Sequence, residues 1–343
     1  MIPDSFREIR IHLPGLQRFS FPGLDETGFR LYNTSLHPAE PENNKTVDPP
    51  GRILFKDTLI PMIDLHTHSL ASDGSDSPCE LLRKAQEIGL HAIALTDHDT
   101  VSGLDKFLNT AHDSSLLTVP GVEISSMHHY KEVHILCLFV DPENKELHAF
   151  LEQLRSNREK RNREILAKLN AIGLTVTEEE LREEAKGESV GRPHFASLLV
   201  RKGYCTDIQE AFDRYLKRGA RAYCSRTPVP PCSSIRAIHS AGGLAFWAHP
   251  VNQTKTERST IRRFLRDMVQ QGLDGVEAFY PSFTPYQSRM LQDFALQYGL
   301  LCSGGSDYHG AAHPENHLGT GSGNLSVPDE LIEKMLAKLG RKS

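Results

Sequence analysis

The chain has 343 residues, 38% hydrophobic and 24% charged, with 25 glycines and 20 prolines. That balance excludes collagen-like, disulfide-scaffold and wholly disordered chains, and leaves one large α/β barrel with an insertion or two modest domains. A net charge of −5 and a pI near 6.4 exclude binding of nucleic acid or acidic membranes by bulk charge, so any phosphate must meet a local group of cations or metals.

Residues 1–61 hold eight of the 20 prolines, and 38–50 is the polar run P-A-E-P-E-N-N-K-T-V-D-P-P. Such a stretch has too little apolar surface to offset its ordering entropy and reads as an extension or linker. Ile9–Leu13 and Phe29–Tyr32 are weak strand candidates. Asp4 and Glu8 argue against a signal peptide, and no uncharged apolar run approaches the ~18 residues of a membrane span. The six scattered cysteines suit a reducing compartment, so a cytoplasmic protein with no membrane or protein partner is expected.

From Ile60 the rhythm becomes strand, loop, helix. β-rich runs fall at 60–65, 92–96, 116–124, 133–140, 244–248, 275–279 and 299–304. Between most of them apolar residues recur at helical spacing, as in 258–271 and 286–298. Alternation of this kind predicts a parallel α/β barrel of about seven strands. Only Ser125–Glu132 joins the third run to the fourth, too short for a parallel crossover, so that pair reads as a hairpin that could bring Glu123 near His134. Residues 144–232 show no core strand; a long helix around Leu147–Leu169 and shorter ones at 177–185, 194–202 and 207–217 predict a helical insertion. The barrel would comprise 62–143 and 233–343.

The chemistry collects at the strand ends. D-L-H-T-H places His66 and His68 at i, i+2, hence on one face. T-D-H-D supplies Asp97, His98 and Asp99; Glu123, His249 and then Asp307 and His309 of S-D-Y-H follow on three further strands. The C-terminal ends of barrel strands form the active-site face. Imidazoles and carboxylates without thiolates suit Mn²⁺, Zn²⁺ or Fe²⁺. So many donors exceed one coordination shell, which points to two or three ions able to generate hydroxide near neutral pH and clamp phosphoryl oxygens. The isolated His91, His112, His128, His129, His148 and His239 read as structural or surface residues.

The ordered motifs D-L-H-T-H-S-L-A-S-D-G, A-L-T-D-H-D-T, P-G-V-E-I-S, E-V-H-I-L, A-H-P and G-S-D-Y-H resemble those of the PHP (polymerase and histidinol phosphatase) superfamily over about residues 62–320. The resemblance implies a distorted (β/α)₇ barrel with a trinuclear metal site that cleaves phosphoesters. It assigns His66, His68, Glu123 and Asp307 to one ion, Glu123, His134 and His249 to a second, and Asp73, His98 and His309 to a third. The S-D-G, the R-P-H at 192–194 and the insertion look most like a stand-alone branch of nucleoside 3′,5′-bisphosphate phosphatases and the 5′-to-3′ exoribonuclease RNase AM. Its members usually begin near their first motif, so residues 1–61 are either an accessory segment or the product of an upstream start codon.

On this basis a metal-activated hydroxide near Asp307, His249 and Glu123 attacks a phosphomonoester of a small nucleotide, such as the 3′-phosphate of a nucleoside 3′,5′-bisphosphate. Short RNA trimmed from its 5′ end is the alternative substrate, and a non-catalytic metal-stabilised module the third reading. Arg192 would fork a second phosphate with His194 beside it. Asp64, Asp97 and Asp99 either orient ligand imidazoles or cap strand ends. Tyr280, Phe283 and Tyr286 offer a stacking surface for a base or serve as packing. The basic runs at 155–163 and 255–263, with glutamates interspersed, read as solvated helix faces.

Overall fold

The computed structural model describes residues 47–48, 52–53, 62–110, 115–185, 190–225, 227–254 and 257–340. The chain falls into two units, Met1–Ile60 and Pro61–Ser343. In the first, β1 (Val47–Asp48) and β2 (Arg52–Ile53) pair antiparallel, so a strand lies inside the stretch read as linker. The strand candidates at 9–13 and 29–32 and residue His112 lie outside the described residues.

In the second unit seven strands pair in chain order: β3 (Ile63–Asp64), β4 (Ala92–Leu95), β5 (Leu117–His128), β6 (Lys131–Leu138), β7 (Leu244–Ala248), β8 (Gly275–Phe279) and β9 (Leu301–Gly304). Neighbours are parallel except around β6, which runs antiparallel to both β5 and β7. Beyond β3 and β9 the chain continues the ladder: Leu65 N donates to Gly304 O at 3.1 Å, Asp307 N to His66 O at 2.9 Å and His68 N to Tyr308 O at 2.8 Å. The sheet is therefore a nearly closed barrel, as the alternating pattern predicts.

The hairpin is present but tighter than the sequence suggested. β5 and β6 extend until only His129 and Tyr130 remain between them, at φ 45° and 64°. Two consecutive positive φ values make the turn whose twist matches that of the paired strands. Its register sets Glu123 opposite Leu136 and Ser125 opposite His134, so Glu123 and His134 are diagonal neighbours.

The parallel crossovers carry α1 (Pro78–Glu87) and α2 (Leu104–Thr110) early, and α8 (Pro250–Thr254), α9 (Arg258–Val269) and α10 (Pro285–Tyr298) late, before α11 (Glu330–Lys338). Between β6 and β7 lie α3 (Lys145–Ala171), α4 (Glu178–Ala185), α5 (Arg192–Arg201), α6 (Ile208–Ala211), a π-turn at Phe212–Leu216 and α7 (Pro231–Ser240). The first half of α3 (Leu147, Leu151, Leu154) packs with the barrel helices. Its second half (Ile165, Leu169) joins Leu181, Phe195, Leu199 and Tyr215 in a separate apolar cluster.

Strand residues alternate between two cores. Ile93 and Leu95 pack with Leu81, Phe107 and the helices outside, whereas Ala92 and Ala94 meet Leu136, Phe246 and Met335 of α11. Each buried Leu, Ile, Phe or Met contributes about 1.5–3 kcal/mol. No helix among the described residues is long and apolar enough to cross a membrane.

Candidate metal centre

The strand ends bring all nine candidate ligands into one cluster. Asp99, His249 and Asp307 adopt left-handed backbone (φ 55°, 31° and 53°), which turns the chain sharply just past β4, β7 and β9. Such conformations cost about 1–3 kcal/mol each and persist only where packing over-determines them. Gly305 is required for a related reason: a Cβ there would stand 2.8 Å from His66 Cα, where the end of β9 crosses the end of β3.

Around His66 and His68 the distances are those of a coordination shell. Glu123 Oε2 lies 3.4 Å from Nε2 of both rings, and Asp307 Oδ1 lies 3.3 and 3.2 Å from the same two atoms. Tetrahedral ligands about 2.0–2.1 Å from an ion stand roughly 3.3–3.4 Å apart. Both Nε2 atoms are buried without a hydrogen-bond partner, so the donor set fits a divalent ion.

The other oxygen of Glu123, Oε1, faces His134 Nδ1 at 2.9 Å and His249 Nε2 at 2.8 Å. Asp73 faces His309 Nε2 at 3.4 Å, and His98 Nε2 and His68 Nδ1 at 3.8 Å. His98 also presents Nδ1 to Glu123 Oε2 at 2.9 Å and so stands between two groups of donors.

Burial disfavours the charged forms of Glu123, Asp307 and Asp73, but the surrounding imidazoles outweigh it and hold all three well below the carboxylate range. Conversely, carboxylates overcome burial at His134, pushed up to about 10 by Glu123 and Glu132, and at His309, raised to about 9 by Asp307 and Asp73. Burial, together with His309 and His98, lowers His68 to about 3, which keeps that ring in the neutral, ligating form.

The residue that sequence reasoning missed is Glu277. Fully buried in β8, it lies with Oε1 2.9 Å from His66 Nδ1 and accepts the His249 backbone N–H on Oε2 at 2.7 Å. It thereby aims His66 Nε2 at the centre and anchors the start of the His249 turn. The available signal was a lone acid inside the apolar strand G-V-E-A-F, since buried carboxylates are rarely left unpaired. Tyr280 plays a comparable part: its hydroxyl donates to Asp307 Oδ2 at 2.7 Å, leaving Oδ1 for His66 and His68. Burial and Asp307 push its pKa up, so it stays a donor.

Asp64 and Asp97 hold loops, and Asp97 also reaches an imidazole indirectly, through Ser72 Oγ, which lies 3.5 Å from His68 Nδ1. Asp64 accepts from Ser306 N and Oγ and Gly319 N at 2.9, 2.5 and 2.8 Å, and Asp97 from Ser69 N and Oγ and Ser72 Oγ at 2.7, 2.7 and 2.6 Å. Asp99 accepts Ser125 N–H at 2.8 Å and pairs with Arg158. Arg158 and Arg161 are 7% and 2% exposed, so the run at 155–163 is only partly a solvated face.

Arg192 donates to Glu132 Oε2 at 2.9 Å, and the other Glu132 oxygen is 3.8 Å from His134 Nε2. His194 accepts the Gly191 N–H on Nδ1 at 2.9 Å, closing the start of α5 rather than facing the centre with that atom. Phe283 is buried in the core with its ring centroid 5.1 Å from that of Tyr280, which is bound to Asp307, whereas Tyr286 is 64% exposed.

The model of the PHP domain family matches residues 64–221. The chain is 36% identical over 269 residues to a 5′-3′ exoribonuclease of Haemophilus influenzae, covering 78% of this chain and 96% of that one. It is 33% identical over 248 residues to a 3′,5′-nucleoside bisphosphate phosphatase of Chromobacterium violaceum, covering 72% and 87%. A solved structure from Bifidobacterium adolescentis, described as a metal-dependent phosphoesterase, superposes with a TM-score of 0.70 at 28% identity, covering 80% of this chain and 96% of that one. Similarity over most of the length, a barrel that superposes on a solved phosphoesterase and a buried histidine–carboxylate cluster lead to one conclusion: the chain belongs to the PHP family of metal-dependent phosphoesterases.

Proposed function

We propose that the protein hydrolyses phosphomonoesters of small nucleotides, releasing the 3′-phosphate of a nucleoside 3′,5′-bisphosphate. The observation that carries this reading is the Glu123 carboxylate, 1% exposed, with one oxygen toward His66 and His68 and the other toward His134 and His249. His66, His68, Glu123 and Asp307 would hold one ion, Glu123, His134 and His249 a second, and Asp73, His98 and His309 a third, with Mn²⁺ the expected metal and Zn²⁺ or Fe²⁺ the alternatives. Divalent ions in such a site neutralise phosphoryl oxygens and lower the pKa of water.

The chain's own residues position the reaction. Glu277 holds His66 and His249, and Tyr280 selects which Asp307 oxygen faces the rings. Arg192, now bonded through one N–H to Glu132 Oε2, would exchange that carboxylate for the second phosphate of the substrate. His194 has only Nε2 left to offer. The C. violaceum relative carries the name of this activity. A cytoplasmic setting, in which the six free thiols stay reduced, goes with it.

A second reading, stepwise 5′-to-3′ trimming of short RNA, draws on a cavity of about 500 Å³ whose lining includes Arg155, Arg158, Arg163 and Arg182. Arg158 ties that cavity to Asp99, the neighbour of His98. The test is release of inorganic phosphate from adenosine 3′,5′-bisphosphate by Mn²⁺-loaded protein, run beside mononucleotide release from a short 5′-phosphorylated RNA. Efficient conversion of the bisphosphate with little RNA cleavage supports the first reading. Processing of RNA that weakens steeply with salt supports the second. Inactivity on both would overturn the substrate class.

A further inference from the structure

Among the described residues, one set of donor atoms converges apart from those at the barrel mouth. His128 ends β5, His129 is the first residue of the hairpin turn, and Asp267 lies on α9. Nε2 of His128 and Nε2 of His129 stand 3.4 and 3.2 Å from the same oxygen, Asp267 Oδ2. All three donor atoms lie within 4.8 Å of one another. From these positions we infer that His128, His129 and Asp267 form a separate binding site for one zinc-class divalent ion, which staples the tip of the β5–β6 hairpin to α9.

Four further observations support the site. His128 is 8% exposed, and its Nε2 is buried with no hydrogen-bond partner, a state that costs free energy unless something occupies the position. Phe264 backs both rings, with centroids 4.6 and 5.6 Å from it; His128 is buried against it, while His129 is 57% exposed and leaves the site open to water as a further ligand. The neighbouring Arg266 approaches the other carboxylate oxygen, Oδ1, at 3.6 Å, which leaves Oδ2 to the imidazoles. Burial and the adjacent His129 also keep His128 below its ordinary pKa, in the neutral form that a metal takes.

Two imidazoles and a carboxylate, completed by water, are a Zn²⁺ donor set and a poor one for Ca²⁺ or Mg²⁺. His128 is five residues along β5 from Glu123, about 17 Å at strand rise, so the ion is not part of the cluster at the barrel mouth.

The experiment is equilibrium dialysis of chelator-stripped, full-length protein against Zn²⁺, with metal counted by mass spectrometry. His129→Asn keeps a residue that tolerates the positive φ, and Asp267→Asn keeps the shape of the carboxylate. Each variant is expected to bind one equivalent fewer than the unsubstituted protein at equal free Zn²⁺, with kcat for the phosphoester unchanged. Equal zinc content in all three proteins would overturn the assignment. Anomalous diffraction at the zinc edge from crystals of the unsubstituted protein gives a test that does not depend on how the variants fold. A peak among the three donor atoms supports the site, and its absence in crystals whose barrel-mouth centre holds zinc refutes it.

Discussion

Glu277 is fully buried, and it determines how two of the candidate ligands stand. Its carboxylate holds His66 through Nδ1 and His249 through the backbone. Glu277→Gln keeps the shape and removes the charge, so metal affinity is expected to fall about 10–100-fold. Activity titrated against free Mn²⁺ measures the shift, and an unchanged midpoint would mean that packing alone orients His66. Arg192→Ala is expected to raise KM for a bisphosphate far more than for an aryl phosphate, since only the former has a second phosphate to lose. Equal effects on both substrates would take Arg192 out of the site. At this scale the ligand motifs were legible because H-x-H and D-x-H are local patterns. Glu277 was not, because its partner His66 is 211 residues away.

Among elements, the end of β9 is tightly constrained. It runs against β3 so closely that Gly305→Ala would place a methyl group on the His66 backbone. Backbone cannot yield as a side-chain tip does, so this variant is expected to lose several kcal/mol of stability and its metal together. Thermal unfolding with and without Mn²⁺ reads both effects; a variant of normal Tm that still gains stability from metal would show that the crossing can relax. The hairpin illustrates the limits of pattern. Its existence followed from a connection too short for a crossover, but its register depends on the His129–Tyr130 turn, whose positive φ values no glycine announced. The Arg158–Asp99 pair was equally hidden: in sequence Arg158 sits in a charged run like any solvated helix face, and only the approach of α3 to the end of β4 buries it.

Across the molecule, proton and metal compete for the same imidazoles. Neighbouring carboxylates push His134 up to about 10 and His309 to about 9, and a ligating ring must be neutral, so metal affinity is expected to fall as pH drops through that range and to keep falling below it. The increase in Tm produced by saturating Mn²⁺ at pH 7.5 is therefore expected to shrink progressively toward pH 5. A gain independent of pH would argue against imidazole ligation. The barrel tolerates so many buried ionisable groups because each, costly alone, is compensated by opposite charges in the cluster, and a bound divalent ion would add to that compensation.

By itself the sequence determined the architecture and the chemical class. Alternating apolar runs specify strands and helices through local periodicity, and histidines and carboxylates at successive strand ends share one face of any barrel those strands form. What only the tertiary structure decided is which oxygen meets which nitrogen. Glu123 serving two pairs of imidazoles, Glu277 behind His66, and Asp267 beneath two histidines that looked like ordinary surface residues all depend on contacts between distant segments. Those contacts arise from sheet closure and hairpin register, whose energies are spread over many residues and leave no mark at any one position.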